Sequence, residues 1–512
     1  MDNVIDETLK KRLIVEDDGD DRPPYLRDRD RILFSRAFRR LAFKTQVVMA
    51  SGRVTSDHIR SRLTHSLEVM QIGTSIALKV NEELERKGRK KMLDLNLVQA
   101  IALGHDLGHT PYGHVGEQAL FKFMFGKSTD GIDVPDDPEI ISCVKDLNKR
   151  KIKHCFQSLK VCCFLEKQYK PDFYGLNLTV ATLDGIFKHS DMGKKERKLY
   201  KIIFDSYFKI YHENNENIEI DKEAKNKLTK WLFDYSSPIT CEGLIVAISD
   251  EIAQLCHDIE DIRRIDRANG IEVVKRYYKE DVLEGLHDIL DCISDENAKK
   301  VYTEFKECVE EWSAEKMAKI ERLYVKLMLT ICIPIVSKVI LKLLEMEERE
   351  RQILLKDRYL GKFDKLNESK ADLELNEAET EILSRLDKIF ESCRNNVLEL
   401  PEVARWDIKG EDLCLDLSKV LFKAFTHKYN SRKKEEVNFN IVPQELRGDL
   451  EKSRDAGKDF LEQIKKDKEL RELSELNKLP IKFAVWDYIS GMTDSFIIKE
   501  YESLTFKKVG PS

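Results

Sequence analysis

Between His105 and Glu117 the chain reads His-Asp-Leu-Gly-His-Thr-Pro-Tyr-Gly-His-Val-Gly-Glu, so three of its 11 histidines and two carboxylates fall in one short run. Neutral imidazoles and carboxylates hold divalent ions in hydrolytic centres, and further groups of the same types beside the ion can carry protons. The pair His105-Asp106 decides nothing alone, because His257-Asp258 and His287-Asp288 repeat it. Its surroundings carry the argument. Upstream, Arg62 and His65 stand three residues apart and share one face of a helix. A guanidinium beside an imidazole ligand suits a centre that also grips phosphate, because the planar fork matches phosphate oxygens. His114 and Glu117 have the same spacing and could form an acid/base couple, the carboxylate orienting the ring. Downstream, Asp250, Gln254 and Asp258 recur every four residues and stack along one helix face. With Ile248, Ile252, Ala253 and Leu255 beside them, such carboxylates are costly to bury unless they bind a cation or a polar ligand. His154 and the pair Lys188-His189 give weaker local signals; the latter suits phosphate. The order His65, His105-Asp106, Asp250 supplies two imidazoles and two carboxylates for one divalent ion, with positions left for water and phosphate oxygens.

These side chains need a rigid frame, and the sequence predicts a helical one. Apolar residues recur with helical spacing over 64–87 and 93–107, the second segment ending at His105-Asp106. Residues 126–138, rich in Gly, Pro and Asp, read as a surface loop. Helical segments then continue to about residue 400, with 345–390 charge-rich and solvated. Residues 437–442 alternate apolar and polar and predict a short strand. The most apolar stretch, 327–337, contains Pro334 and lies between Lys326 and Lys338; it is too short to span a bilayer and reads as a kinked core helix.

Composition agrees. Of 512 residues, 42% are hydrophobic and 35% charged, with only 22 Gly and 12 Pro, which argues against a loop-rich all-β architecture. The formal charge of −6 excludes a global polyanion-binding surface, so a basic site must be local. The one basic segment runs from Arg27 to Lys44. The 11 cysteines contain no C-x-x-C pair and read as reduced thiols, and no secretory leader is visible, so a cytoplasmic location is expected.

Taken together, the motifs resemble the deoxyguanosine triphosphate triphosphohydrolase family of the HD superfamily of metal-dependent phosphohydrolases. The resemblance rests on Arg36-Ala-Phe-Arg39-Arg40-Leu, Lys44-Thr-Gln46-Val47, Arg62-Leu-Thr-His65-Ser-Leu-Glu-Val, the run from Gly104 to Glu117, Leu176-Asn177-Leu-Thr179, Asp250 with Asp258 and Glu260-Asp261, and Asp487-Tyr-Ile-Ser-Gly-Met-Thr-Asp494. It implies a mainly α fold: an HD-type helical core with additional C-terminal helices and at most a few short strands. The expected division is a lead-in over 1–26, an HD core over 27–275, and a helical region over 276–512 that completes the nucleotide pocket and an oligomer interface. It further implies hydrolysis of deoxynucleoside triphosphates, dGTP favoured, to deoxynucleoside and inorganic triphosphate, by water attack at the α-phosphorus. His65, His105, Asp106 and Asp250 match metal ligands. His114, Glu117 and His154 match catalytic positions. Arg62 and Lys188 match phosphate-binding positions, Gln46 and Val47 the nucleoside pocket, Asp258 the sugar 3′-hydroxyl, and Asn177 a substrate-side position. The implied cofactor is a divalent ion, Mn²⁺ or Mg²⁺ first, with Fe, Co, Ni or Zn as alternatives. The implied partners are the dNTP, single-stranded DNA at the basic segment, and further copies of the chain in a dimer, tetramer or hexamer, with no membrane. Gln254 departs from the family, which places Tyr there against the sugar. An HD nucleotidase or phosphodiesterase acting on another nucleotide, and a nucleotide- or DNA-binding regulator, stay as alternatives.

Overall fold

The computed structural model describes residues 7–16, 19–46, 60–90, 93–125, 153–167, 174–265, 270–426 apart from single positions 288, 291, 294, 314 and 399, then 441–466, 479–505 and 509. Six helices position the histidines: α1 (Arg62–Arg86), α2 (Leu95–Gly104), α3 (Gly113–Phe125), α4 (His154–Lys160), α5 (Val180–Lys188) and α6 (Cys241–Ile265). Their starts are written locally. Ser61 accepts from Thr64 N while the Thr64 hydroxyl accepts from Ser61 N, a capping box that fixes where α1 begins. Asp94 caps α2 on Asn96 N, and Thr179 caps α5 on Thr182 N.

Helix α1 packs against α2, α6 and a long helix α7 (Met317–Glu345), while α5 packs against α2, α4 and α6. The apolar stretch around Pro334 is therefore part of a 29-residue helix, longer than the sequence reading gave it. By length and composition α7 could cross a membrane, but 67% of its apolar window is buried inside the protein, so it serves as a core helix. The buried apolar core is continuous from Leu13 to Ile497 and crosses the boundary expected near residue 275.

Among the described residues there is no strand, only the isolated bridges Arg12–Thr179, Ile14–Ile220 and Thr45–Ser61, so the fold is mainly α. The expected strand at 437–442 and the expected loop at 126–138 fall largely or wholly outside the described residues; Ile441 and Val442 lie in a turn. The charge-rich region holds helices Glu348–Asp357, Phe363–Glu368 and Glu377–Leu398, which bury Leu354, Leu355 and Phe363. The lead-in is anchored: Leu13 and Ile14 are buried, and both backbone groups of Ile14 bond to the side-chain amide of Asn177. All ten cysteines among the described residues are free.

Candidate metal centre

Each helix delivers its residues to one interior point. The first turns of α1 bring Arg62 and His65, and the end of α2 brings His105 and Asp106. Helix α3 brings His114 and Glu117, α4 starts at His154, α5 ends on His189, and α6 brings Asp250, His257 and Asp258. Two glycines permit this convergence. A Cβ at Gly108 would run into the backbone of Gln157 and Ser158, so the turn after Asp106 sits directly on α4. Gly113 has φ +59°, and a Cβ there would lie 2.8 Å from Arg62 Nη2.

His65, His105 and Asp250 place their ligand atoms within 4.8 Å of one another. His65 Nε2 lies 2.8 Å from Asp250 Oδ1, and His105 Nε2 lies 3.7 Å from the same oxygen and 3.5 Å from Asp106 Oδ1. The His105 Nδ1–H donates to the Ala102 carbonyl at 2.7 Å, which leaves Nε2 as a bare lone pair. That Nε2 is buried and has no hydrogen-bond partner. A buried acceptor aimed at two carboxylate oxygens is costly by itself and fits a cation between them. The donors present therefore suit a divalent ion. Asp106 has a second attachment: its Oδ2 accepts from Arg62 Nη1 at 2.9 Å.

Glu117 organises the other side. Its side chain is fully buried; Oε1 accepts from His154 Nδ1 at 2.8 Å and Oε2 from His114 Nδ1 at 3.1 Å. The two candidate proton carriers differ. His114 keeps 55% of its side chain exposed, whereas His154 is buried and its Nε2 meets His189 Nε2 at 2.8 Å. His109 stacks on His154 with ring centroids 3.8 Å apart and reaches Asp106 Oδ1 at 3.2 Å. Asp106, His154 and His189 thus form a further donor set.

The electrostatics divide the ligands: burial opposes charge on His65, but its hydrogen bond to Asp250 and the charge of that carboxylate outweigh burial and raise its pKa, while the neighbouring groups shift towards ligand-competent states. Burial opposes ionisation of Asp106, but the surrounding His109, His105 and Arg62 outweigh it and hold the carboxyl well below its usual range. Burial drives His109 well down, aided by Arg62 and His154, and pushes His189 down to about 3, aided by His154 and His105. Ionised carboxylates and neutral imidazoles are what a cation requires.

The remaining expected residues divide. The Gln46 carbonyl lies 3.5 Å from Arg62 Nη2, and Gln46 Oε1 is buried without a partner, as a ligand-facing group would be. Val47 lies outside the described residues. Asp258 is buried beside His257. Two residues are held elsewhere. The Lys188 ammonium is fully buried against Asp184 at 2.9 Å and the Ser237 carbonyl at 3.0 Å, and its neighbour His189 is the one turned to the cluster. Burial lowers the Lys188 pKa. Asn177 takes φ +47° and clamps Ile14, a structural duty that accounts for its side-chain amide. The C-terminal motif also works through its fold: Asp494 accepts from Thr45 N and Oγ1 with one oxygen and from Tyr112 N with the other, tying together the loops that carry Gln46 and the His109 turn. Lys44 is buried and donates to the His109 and Ser490 carbonyls; burial, then Arg40, brings its pKa down to about 7. His189 and His257 were not expected at the centre. Each stands beside a residue that drew attention for another role, and only the docking of α5 and α6 on α1 and α2 reveals them.

Comparison with known proteins agrees with this geometry. Residues 62–153, which carry His65 and His105-Asp106, match the model of the HD domain family. The resemblance read from the motifs also holds. The chain is 37% identical over 250 residues to a deoxyguanosinetriphosphate triphosphohydrolase-like protein of Caulobacter sp. (strain K31), covering 49% of each chain. It is 38% identical over 242 residues to one from Wolinella succinogenes, covering 47% of this chain and 50% of that one. It is 34% identical over 275 residues to one from Pelagibacter ubique, covering 53% and 58%. The chain spans about half the length of the curated relatives it matches.

Proposed function

We propose that this chain hydrolyses deoxynucleoside triphosphates, dGTP favoured, to a deoxynucleoside and inorganic triphosphate. The observation that carries the reading is the orphaned His105 Nε2 facing Asp106 and Asp250, with Arg62 and the solvent-exposed His114 at its border. When bound, a divalent ion draws charge from a phosphoryl oxygen and acidifies water. His65, His105, Asp106 and Asp250 would hold it. Arg62, fixed on Asp106, would meet phosphate oxygens through its remaining donors. His114, oriented by Glu117, would pass a proton between solvent and the reacting oxygens, because it is the exposed ring of the pair. Gln46 Oε1 would accept from the nucleoside, and Asp258 from the sugar 3′-hydroxyl. Mn²⁺ or Mg²⁺ is the ion proposed. The exposed segment around Phe34, Arg36, Arg39 and Phe43 is the surface proposed for contact with further copies or single-stranded DNA.

A second reading, a nucleotidase or phosphodiesterase on another nucleotide, is favoured by one observation: Gln254, one turn after Asp250, is exposed and offers an amide instead of a ring to stack under a sugar. One assay separates the two. The purified protein is incubated with each dNTP and NTP and Mn²⁺ or Mg²⁺, and the products are resolved. Inorganic triphosphate with deoxynucleoside supports the first reading; orthophosphate or pyrophosphate, or no turnover with either ion, overturns it.

A further inference from the structure

His257 is fully buried, and no step above uses it. Its Nε2 lies 2.9 Å from His65 Nδ1, in edge-on ring geometry with the planes at 90°. Its Nδ1 lies 3.2 Å from Asp258 Oδ1, without the alignment of a hydrogen bond, and both atoms are buried without a hydrogen-bond partner. The proton positions along this row follow from its ligating end. His65 Nε2 faces Asp250 Oδ1 at 2.8 Å, on the side where the ion belongs, so a His65 that ligates through Nε2 must carry its hydrogen on Nδ1. That hydrogen points at His257 Nε2, which must then be the bare acceptor. His257 consequently carries its own hydrogen on Nδ1, next to the Asp258 carboxylate. The ligating end selects this pair of tautomers, and the Asp258 carboxylate beside His257 Nδ1 is compatible with it.

We propose that His257 is a positioning residue for the metal centre: it accepts from His65 Nδ1–H, with the Asp258 carboxylate beside its own Nδ1, and so fixes His65 as an Nε2 donor and raises its basicity. A histidine ligand is ordinarily oriented by a carboxylate or a backbone carbonyl. Here a second imidazole stands between ligand and carboxylate, and all three groups belong to only two helices, α1 and α6. Their mutual packing therefore sets the ligand's orientation. The inference rests on reading His65 as a metal ligand, and not on the identity of the substrate.

The test is Mn²⁺ affinity by chelator competition on the whole chain, with no nucleotide present. His257→Phe, which fills the space without an acceptor, is expected to weaken binding about 10–100-fold. His257→Gln, whose amide oxygen can accept from Nδ1–H, is expected to restore most of it. Equal affinity of His257→Phe and the native chain overturns the proposal, as does a Gln variant no better than Phe. If His257→Phe does not fold, the native protein still decides. Loaded with Zn²⁺ and labelled with ¹⁵N-histidine, it should show ring N–H on Nδ1 of both His65 and His257; a hydrogen on His257 Nε2 overturns the assignment. Because both readings are taken without substrate, failure to cleave any dNTP leaves this inference standing. A triphosphohydrolase whose ion affinity ignores His257 overturns this inference alone.

Discussion

Helix α4 joins two buried polar clusters of opposite character. At its first residue, His154 enters the histidine centre, where His105 Nε2 and His109 Nδ1 are buried without hydrogen-bond partners. At its last residue, Lys160 enters a cluster where the charges meet each other. The Lys160 ammonium lies 2.5 Å from Asp487 Oδ1 and over the rings of Trp486 and Tyr207, at 3.6 and 4.1 Å. Asp487 also accepts from the Tyr207 hydroxyl at 2.6 Å and from Gln157. Both clusters remove ionisable groups from water, which is costly unless the groups are paired. One matches its charges internally and gains a fixed geometry. The other leaves lone pairs and carboxylate oxygens converging on a common point, so its balance is completed from outside the chain. The difference separates a cluster that holds the fold from one able to hold a metal ion.

Changes at the two clusters should therefore fail in different ways. The largest effect is expected at the centre. His105→Ala should remove the bound ion and bring turnover to background while the folded state persists, because the lost ring makes one hydrogen bond to backbone and edge-on contacts with only two other rings of the centre, His65 and His189. Metal analysis beside circular dichroism checks this, and a loss of fold together with the ion would erase the contrast. Next is His114→Gln. Here the ion should stay, and turnover should fall about 10²–10⁴-fold, the usual contribution of a positioned acid/base group. If turnover survives with the ion in place, the proton passes through another group, and the exposed ring is a bystander.

Much of the centre was legible in the sequence. His65, His105, Asp106 and Asp250 carry their signal as an ordered set of ligand types, and the spacing of His114 and Glu117 already implied their hydrogen bond. The helical fold was legible for the same reason: periodicity is local. What stayed hidden depends on burial and on contacts between distant helices. Lys188 reads as a phosphate-binding cation until Asp184, one turn earlier, is found to neutralise it within the core. Asn177 reads as a substrate contact until its positive φ and its bonds to Ile14 assign it to the chain's lead-in. His257 lies 192 positions from His65, and no local pattern links them.

The charge-matched cluster offers the converse test. Asp487→Asn should leave the Lys160 cation buried beside a neutral amide, at a cost of about 3–5 kcal/mol of stability, while the turnover of each folded molecule is kept. Urea unfolding with active-fraction titration measures both. A large loss of specific activity at unchanged stability would mean that this cluster too works on the ligand.

The smallest effect concerns a histidine that belongs to neither cluster. His212 is buried among Phe164 and Phe208 and donates from Nε2 to the Cys163 carbonyl at 2.9 Å. Burial disfavours its charged form and pushes its pKa down to about 4. In the unfolded chain the same ring titrates near its ordinary value of about 6.5. Between these two values the unfolded state binds the proton and the folded state does not, so acid favours unfolding across that window. Stability from His212 is present in full above about pH 6.5 and is lost as the pH falls towards 4, by about 3 kcal/mol in total at about 1.4 kcal/mol per unit. His212→Gln keeps a donor for Cys163 but cannot titrate. The difference between the native and variant unfolding free energies should therefore be flat above pH 7 and open steadily below 6.5. Parallel curves down to pH 4 would place the acid sensitivity in the histidine centre instead, where His109 and His189 are also held neutral, and the bound ion would then be what protects the fold from acid.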